Sequence, residues 1–158
     1  MSAQLPDKII FNGASLDLYS NPLEEYFRSK KRKPAFNTSS QCVRGYVAQW
    51  EISHNRLLLK EIQGNYLYRN IFFQKKYKKI SIADLFQKAK NKMVKATWFS
   101  GKLRIPQGKM TAFDDHGYAS RFEKEIIISV EKGDVVKTVM LDNQNRMLIN
   151  DENKIRSL

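Results

Sequence analysis

The sequence predicts a mainly β (α+β) chain: one antiparallel sheet, strongly curved or closed into a barrel, with two short helices. Three observations predict it. Apolar residues recur at alternate positions in several short runs, the spacing of strands with one buried face. Tight-turn signals such as Asn12-Gly13 and Lys132-Gly133 separate those runs. Strands joined so closely pair antiparallel, because a parallel pair needs a long crossover. Helix-start signals occur at only two places. At 158 residues and 42% hydrophobic content the chain has the size and apolar share of one domain. The domain is read as residues 1–150, with a polar tail over 151–158.

The elements follow in order. Lys8 to Phe11, Asn12-Gly13 and Leu16 to Tyr19 read as a hairpin, since Asn-Gly accepts the positive φ of a type I′ turn. Asn21-Pro22-Leu23-Glu24 reads as a helix start with a cap, a proline at the first turn and a capping-box acid. Pro34 ends that helix, because the residue before a proline is pushed out of the helical region. Residues 34–41 then read as a polar loop. Tyr46, Ala48, Trp50 and Ile52 share one strand face, Ser53-His54-Asn55 turns, and Leu57-Leu58-Leu59 begins the return strand. Gly64-Asn65 reads as a break and Ile71-Phe72-Phe73 as a further apolar segment. Ser81-Ile82-Ala83-Asp84 opens a second helix running to about Lys90. Val94, Ala96 and Trp98 alternate as a strand, Leu103 and Ile105 as another, stopped by Pro106-Gln107-Gly108. Phe122, Ile126, Ile128 and Val130 alternate with polar residues. Lys132-Gly133-Asp134 leads into Val135–Leu141, and Met147-Leu148-Ile149 reads as a last strand. The echo between Ala48-Gln49-Trp50 and Ala96-Thr97-Trp98 reads as two strands meeting similar packing demands, with a worn duplication of one hairpin unit as the alternative, since two short segments fall below what a repeat requires.

Charge is distributed unevenly. The net +12 arises almost wholly in residues 60–109, with a balance of +11, against +3 for 1–59 and −2 for 110–158. Such asymmetry costs self-repulsion and points to an anionic partner. No apolar run reaches spanning length, so no membrane partner is expected. The first residues lack the pattern of a secretory signal, and Cys42 is the only cysteine, which together favour the cytoplasm.

Asp114-Asp115-His116 is the one cluster of acids with an imidazole, but neighbours along an extended chain point apart, so a surface turn is the simpler reading. Cys42 with His54 or His116 lacks any nucleophile context and reads as a small buried residue. Gly13, Gly45, Gly64 and Gly101 each stand alone, and no phosphate-binding loop, zinc motif or paired cysteines occur. No catalytic residue, metal or cofactor is therefore expected, which disfavours an enzyme.

The basic features are stronger. Arg28, Lys30, Lys31, Arg32 and Lys33 place five cations in six residues. Lys75, Lys76, Lys78 and Lys79 surround Tyr77, and Lys88, Lys90, Lys92 and Lys95 follow. Lysines attract phosphate without regard to sequence, and tyrosine can stack on bases. Arg44, Trp50, Trp98 and Arg104 form a second candidate, a concave anion pocket should the two tryptophans lie on adjacent strands. Tryptophans on alternating strands more often fill the interior.

The run Arg44-Gly45-Tyr46-Val47-Ala48-Gln49-Trp50-Glu51-Ile52 resembles a pattern in small uncharacterised bacterial proteins. So do Ala96-Thr97-Trp98-Phe99-Ser100-Gly101-Lys102-Leu103-Arg104-Ile105-Pro106-Gln107-Gly108 and His116 to Glu123. The resemblance spans most of residues 8–140. It implies a bacterial origin and a shared fold, and it brings no activity with it.

The functional expectation is a small binding protein that docks an acidic protein through its basic surface, as an inhibitor or immunity-type partner does. A nucleic-acid binder using 28–33 and 75–95 is the second reading. A small-anion receptor or unrecognised enzyme is the third.

Overall fold

Asn12 and Gly13 both adopt positive φ (51° and 80°), so β1 (Asp7–Phe11) folds back onto β2 (Ala14–Leu18) through the two-residue turn that their types favour. The same device recurs at His54-Asn55, joining β3 (Tyr46–Ser53) to β4 (Arg56–Arg69), and at Lys132-Gly133, joining β8 (Arg121–Glu131) to β9 (Asp134–Asp142). These turns lock register: Ser53 pairs with Arg56, and Glu131 with Asp134. The computed structural model describes residues 3–90 and 92–143. The expected strand at Met147–Ile149 and the tail at 151–158 lie outside the described residues.

The described strands also include β5 (Lys75–Lys79), β6 (Val94–Lys95) and β7 (Gly101–Ala112), and they form one mixed sheet in the order β2-β1-β3-β4-β9-β8-β7. Every hairpin is antiparallel, as tight turns require. The exception joins elements distant in sequence: β1 runs parallel to β3, with Ile9 beside Trp50. The long crossover it needs is supplied by β2, helix α1 (Pro22–Lys30) and the loop that follows. The sheet curls until its ends meet. Tyr19 N–H, just after β2, donates to the Arg104 carbonyl of β7 (2.7 Å), and Arg104 N–H donates to Ser20 Oγ (3.1 Å). The barrel is thereby nearly closed. Its interior holds Ile9, Leu18, Tyr46, Ala48, Trp50, Leu57, Leu59, Leu103, Ile105 and Ile128, with Leu23 and Phe27 of α1 sealing one side.

Several elements depart from expectation. Asn21 precedes α1 but makes no side-chain cap, because its Oδ1 accepts the Tyr118 hydroxyl (2.8 Å). Glu24 likewise turns to Tyr46 and Lys33. The Ser81–Asp84 capping box does form, with Ser81 N–H donating to the Asp84 carboxylate (2.8 Å), yet α2 is a single turn (Ile82–Leu85) followed by a 3₁₀ turn at Gln87–Ala89. Gly64 does not break β4; it sits where the strand changes partners, and a Cβ there would lie 2.8 Å from the Gly45 carbonyl oxygen. Pro106-Gln107-Gly108 does not stop β7 but forms its bulge, Gly108 taking φ 76°. Trp98 is in a turn after the two-residue β6, so the two A-x-W segments have different structures. Nor is 34–41 only a loop: Phe36 bridges to Tyr66 and packs on the core.

Among the described residues no helix is long and apolar enough to cross a membrane.

Candidate functional site

Beyond Gly64, β4 leaves the barrel and pairs with β5 instead, with Asn65 opposite Lys79 and Arg69 opposite Lys75. On its other side Leu67 N–H donates to the Ala35 carbonyl (2.9 Å) and Asn37 N–H to the Asn65 carbonyl (2.8 Å). A short three-stranded finger results, standing out from the sheet. All five residues of β5 are exposed. Its ladder is framed by Asn70 N–H donating to Gln74 (3.0 Å) and Ile80 N–H donating to Gly64 (2.9 Å). By the alternation of antiparallel pairs, Lys76 and Lys78 direct their main-chain groups toward β4, and Lys75, Tyr77 and Lys79 direct theirs outward along an open edge.

The end of α1 lies beside the finger's base. Tyr26, Phe27, Lys30, Arg32, Tyr66 and Ile80 are among the residues around a cleft of about 770 Å³ that separates the two. Tyr26 also links α1 to the second helical segment, its ring 4.7 Å from Phe86 and its hydroxyl donating to the Leu85 carbonyl (3.4 Å). Lys88 and Lys92 follow that segment and are exposed. Of the two basic stretches, 28–33 gives Lys30, Arg32 and Lys33 to the cleft, with Asp84 also on its wall; 75–79 lies on the strand paired with the Tyr66–Leu67 wall and lines none of it.

Their cations differ in what they face. Arg28 pairs with Glu25 (3.0 Å), and Lys33 pairs with Glu24 (2.8 Å) while lying over the rings of Phe27, Phe36 and Tyr46. Among the described residues no carboxylate pairs with Lys30, Lys31, Arg32, Lys75, Lys76, Lys78, Lys79, Lys88 or Lys92, and no acidic residue occurs between Glu61 and Asp84. Not all of the middle third joins them. Lys95 pairs with Asp134 (2.7 Å), and Lys102, Arg104 and Lys109 belong to β7, separated from β4 by β9 and β8.

The four residues of the expected anion pocket do not line one. Arg44 is buried and donates to Asp7 Oδ1 (2.7 Å) and the Leu5 carbonyl (2.7 Å). Trp50 Nε1–H donates to the other Asp7 oxygen (3.1 Å). Burial pushes the Asp7 carboxyl above its ordinary range, and the Arg44 guanidinium opposes that rise. Arg104 donates to Glu125 (2.7 Å) and to the carbonyls of Tyr118 and Ser120. Trp98 stacks on Phe86 and donates to the Pro22 carbonyl (2.9 Å). Arg44 is enclosed by the fold, its Nε buried without a partner, while Arg104 lies at a separate cleft with its guanidinium taken by Glu125 and two carbonyls, so the four residues do not share a cavity.

Asp114, Asp115 and His116 do converge, their ligand atoms within 4.8 Å of one another, because a turn rather than an extended chain carries them. The His116 backbone and ring nitrogens both bond Asp114 (2.9 and 2.7 Å), which holds that carboxyl below its usual value. These exposed groups satisfy each other. Cys42 is half-buried with its Sγ 3.3 Å from the Tyr46 carbonyl, and among the described residues no histidine bonds to it.

The largest feature not anticipated from the sequence is at the finger's tip. Ile71, Phe72 and Phe73 form no strand; they cap the β4–β5 turn at 86%, 74% and 81% exposure. A run of three apolar residues reads as a buried segment, and only the flanking Arg69, Lys75 and Lys76 hint otherwise. Comparison with protein-family models, curated proteins and solved structures finds no match. The resemblance to small bacterial proteins therefore rests on the quoted residues alone.

Proposed function

We propose that this protein is a binding module that docks an acidic protein across the cleft between α1 and the β4–β5 finger. The observation that carries the reading is Lys30 and Arg32 at the rim of one cleft, neither paired with a carboxylate among the described residues, with the exposed lysines of β5 on the strand beside its Tyr66–Leu67 wall. Unpaired cations on a shared face raise the encounter rate with an acidic partner and repel basic ones. Aromatic side chains at the cleft, Tyr26 and Tyr66, supply the apolar contact that interfaces concentrate at their centres.

The same cations serve a nucleic-acid reading less well. Register places Tyr66 and Tyr68 with Lys76 and Lys78 on one face of the finger, and Tyr77 with Leu67 on the other. Single-strand binders stack successive bases on aromatics that share a face; of the finger's three tyrosines only Tyr66 and Tyr68 do so, and Tyr77 is cut off from them.

A pull-down from the native cell, with and without nuclease, separates the two. The expected result is a nuclease-resistant acidic partner whose capture is lost in the variant Lys30→Ser/Lys31→Ser/Arg32→Ser. Capture that vanishes on nuclease treatment, or retention on single-stranded DNA with a steep salt slope, would replace this reading with the second.

A further inference from the structure

We propose that the finger's tip seats in the interfacial layer of an anionic lipid bilayer, with Ile71, Phe72 and Phe73 among the acyl chains and Arg69, Lys75 and Lys76 on the lipid phosphates. This site is separate from the cleft and does not rest on the acidic-protein reading.

The tip is built for display. Asn70 Oδ1 accepts the N–H groups of Phe72 (3.0 Å) and Gln74 (2.9 Å), and Asn70 Nδ2 donates to Gln74 Oε1 (3.1 Å). Phe73 N–H closes the turn on the Asn70 carbonyl (3.0 Å), and Phe73 takes a left-handed φ of 59°. The three apolar side chains are thus held outward by a turn that satisfies its own polar groups. Holding them in water is unfavourable, and nothing among the described residues covers them.

The rungs below carry the second half of the signal. Arg69 faces Lys75 on the first, Tyr68 faces Lys76 on the next, and Leu67 faces Tyr77 on the third. Side chains alternate between faces, so cations border the tip on both sides, and Tyr68 and Tyr77 follow on opposite faces. A protein groove would engage one face. A bilayer surface meets a convex tip from all sides at once, so both faces reach phosphate while the centre enters the acyl boundary. Lysine and arginine stems can lie along apolar chains with their charged heads at the phosphates. Stable attachment of this kind needs two signals, an apolar insertion and a basic patch, and both are present here. A second copy of the chain is a poor occupant, because two such tips repel. The earlier expectation of no membrane partner rested on the lack of a spanning segment, which concerns crossing and not contact with one leaflet.

Vesicle binding by the full chain tests this, using phosphatidylcholine with about a third phosphatidylglycerol against phosphatidylcholine alone. Binding is expected only to the anionic vesicles. Phe72→Trp adds an exposed indole at the tip, and its fluorescence is expected to shift to the blue on anionic vesicles. Ile71→Ser/Phe72→Ser/Phe73→Ser is expected to weaken binding about tenfold or more, with an unchanged unfolding midpoint because the replaced side chains are largely exposed among the described residues. Lys75→Ser/Lys76→Ser is expected to weaken it about fivefold per cation. The cleft variant Lys30→Ser/Lys31→Ser/Arg32→Ser is expected to change it about twofold or less, so the two readings fail separately. No binding to anionic vesicles at low salt would overturn the proposal. So would undiminished binding by the triple tip variant, or the absence of a blue shift in Phe72→Trp on vesicles that it binds. Loss of protein capture in that tip variant, with wild-type chain indifferent to vesicles, would assign the tip to a protein partner instead.

Discussion

Asp7 shows how one buried side chain organises its surroundings. Its two oxygens accept from Arg44, the Ala48 main chain and the Trp50 indole, tying β1 and β3 to the segment that enters the barrel. Removing one partner of a buried ion pair leaves the other charge desolvated and alone. Arg44→Met is therefore expected to destabilise the fold by about 3–5 kcal/mol, measured by urea unfolding at neutral pH. The double variant Asp7→Leu/Arg44→Met should recover part of that loss, because no lone charge remains. The expected strand begins at Lys8 and passes over Asp7, although Asp7 lies two positions before Ile9 on the same strand face. Its partner was no more legible. Arg44 is 37 residues away, and nothing in the alternation of either segment connects them.

At the scale of elements, turn chemistry was more readable than strand extent. Asn12-Gly13, His54-Asn55 and Lys132-Gly133 turn where their residue types allow positive φ. Gly64 and Gly13 test the difference between space and conformation. Gly13 needs φ 80° but has nothing within 4 Å, so Gly13→Ala is expected to cost about 1 kcal/mol. Gly64 lies against the Gly45 carbonyl, so Gly64→Ala must push two backbones apart and is expected to cost about 1–3 kcal/mol. Denaturant midpoints of the two variants rank them. A reversed order would mean that β4 can shift at its change of partner. Gly64 read as a break because a lone glycine in a strand pattern signals either a break or a close approach, and local sequence does not distinguish them. Trp98 was misplaced for a related reason: three alternating apolar residues, Val94, Ala96 and Trp98, also fit a strand end followed by a turn.

For the whole molecule the decisive quantity is where charge collects. The excess of cations in residues 60–109 divides between a finger that carries them unpaired and a strand, β7, where Arg104 is bound to Glu125. The finger's unpaired cations add fully to long-range attraction, whereas the charge of Arg104 is largely cancelled by Glu125. Association with an acidic partner is accordingly expected to slow as salt rises, chiefly through the on-rate, with dissociation changing little. Stopped-flow or surface-binding kinetics over a salt series would show it. An on-rate indifferent to salt would mean that the finger's cations lie outside the interface.

Alternation, turn types and composition were enough for a β-rich, curved sheet with two short helices, because those signals are local and repeat along the chain. Which edges of that sheet meet, which arginines are neutralised and which apolar run stays uncovered depend on residues brought together from distant positions. Ile71-Phe72-Phe73 shows the limit. Its composition resembles a core strand, yet burial is a property of what packs against a side chain, and here the described residues leave all three side chains largely exposed.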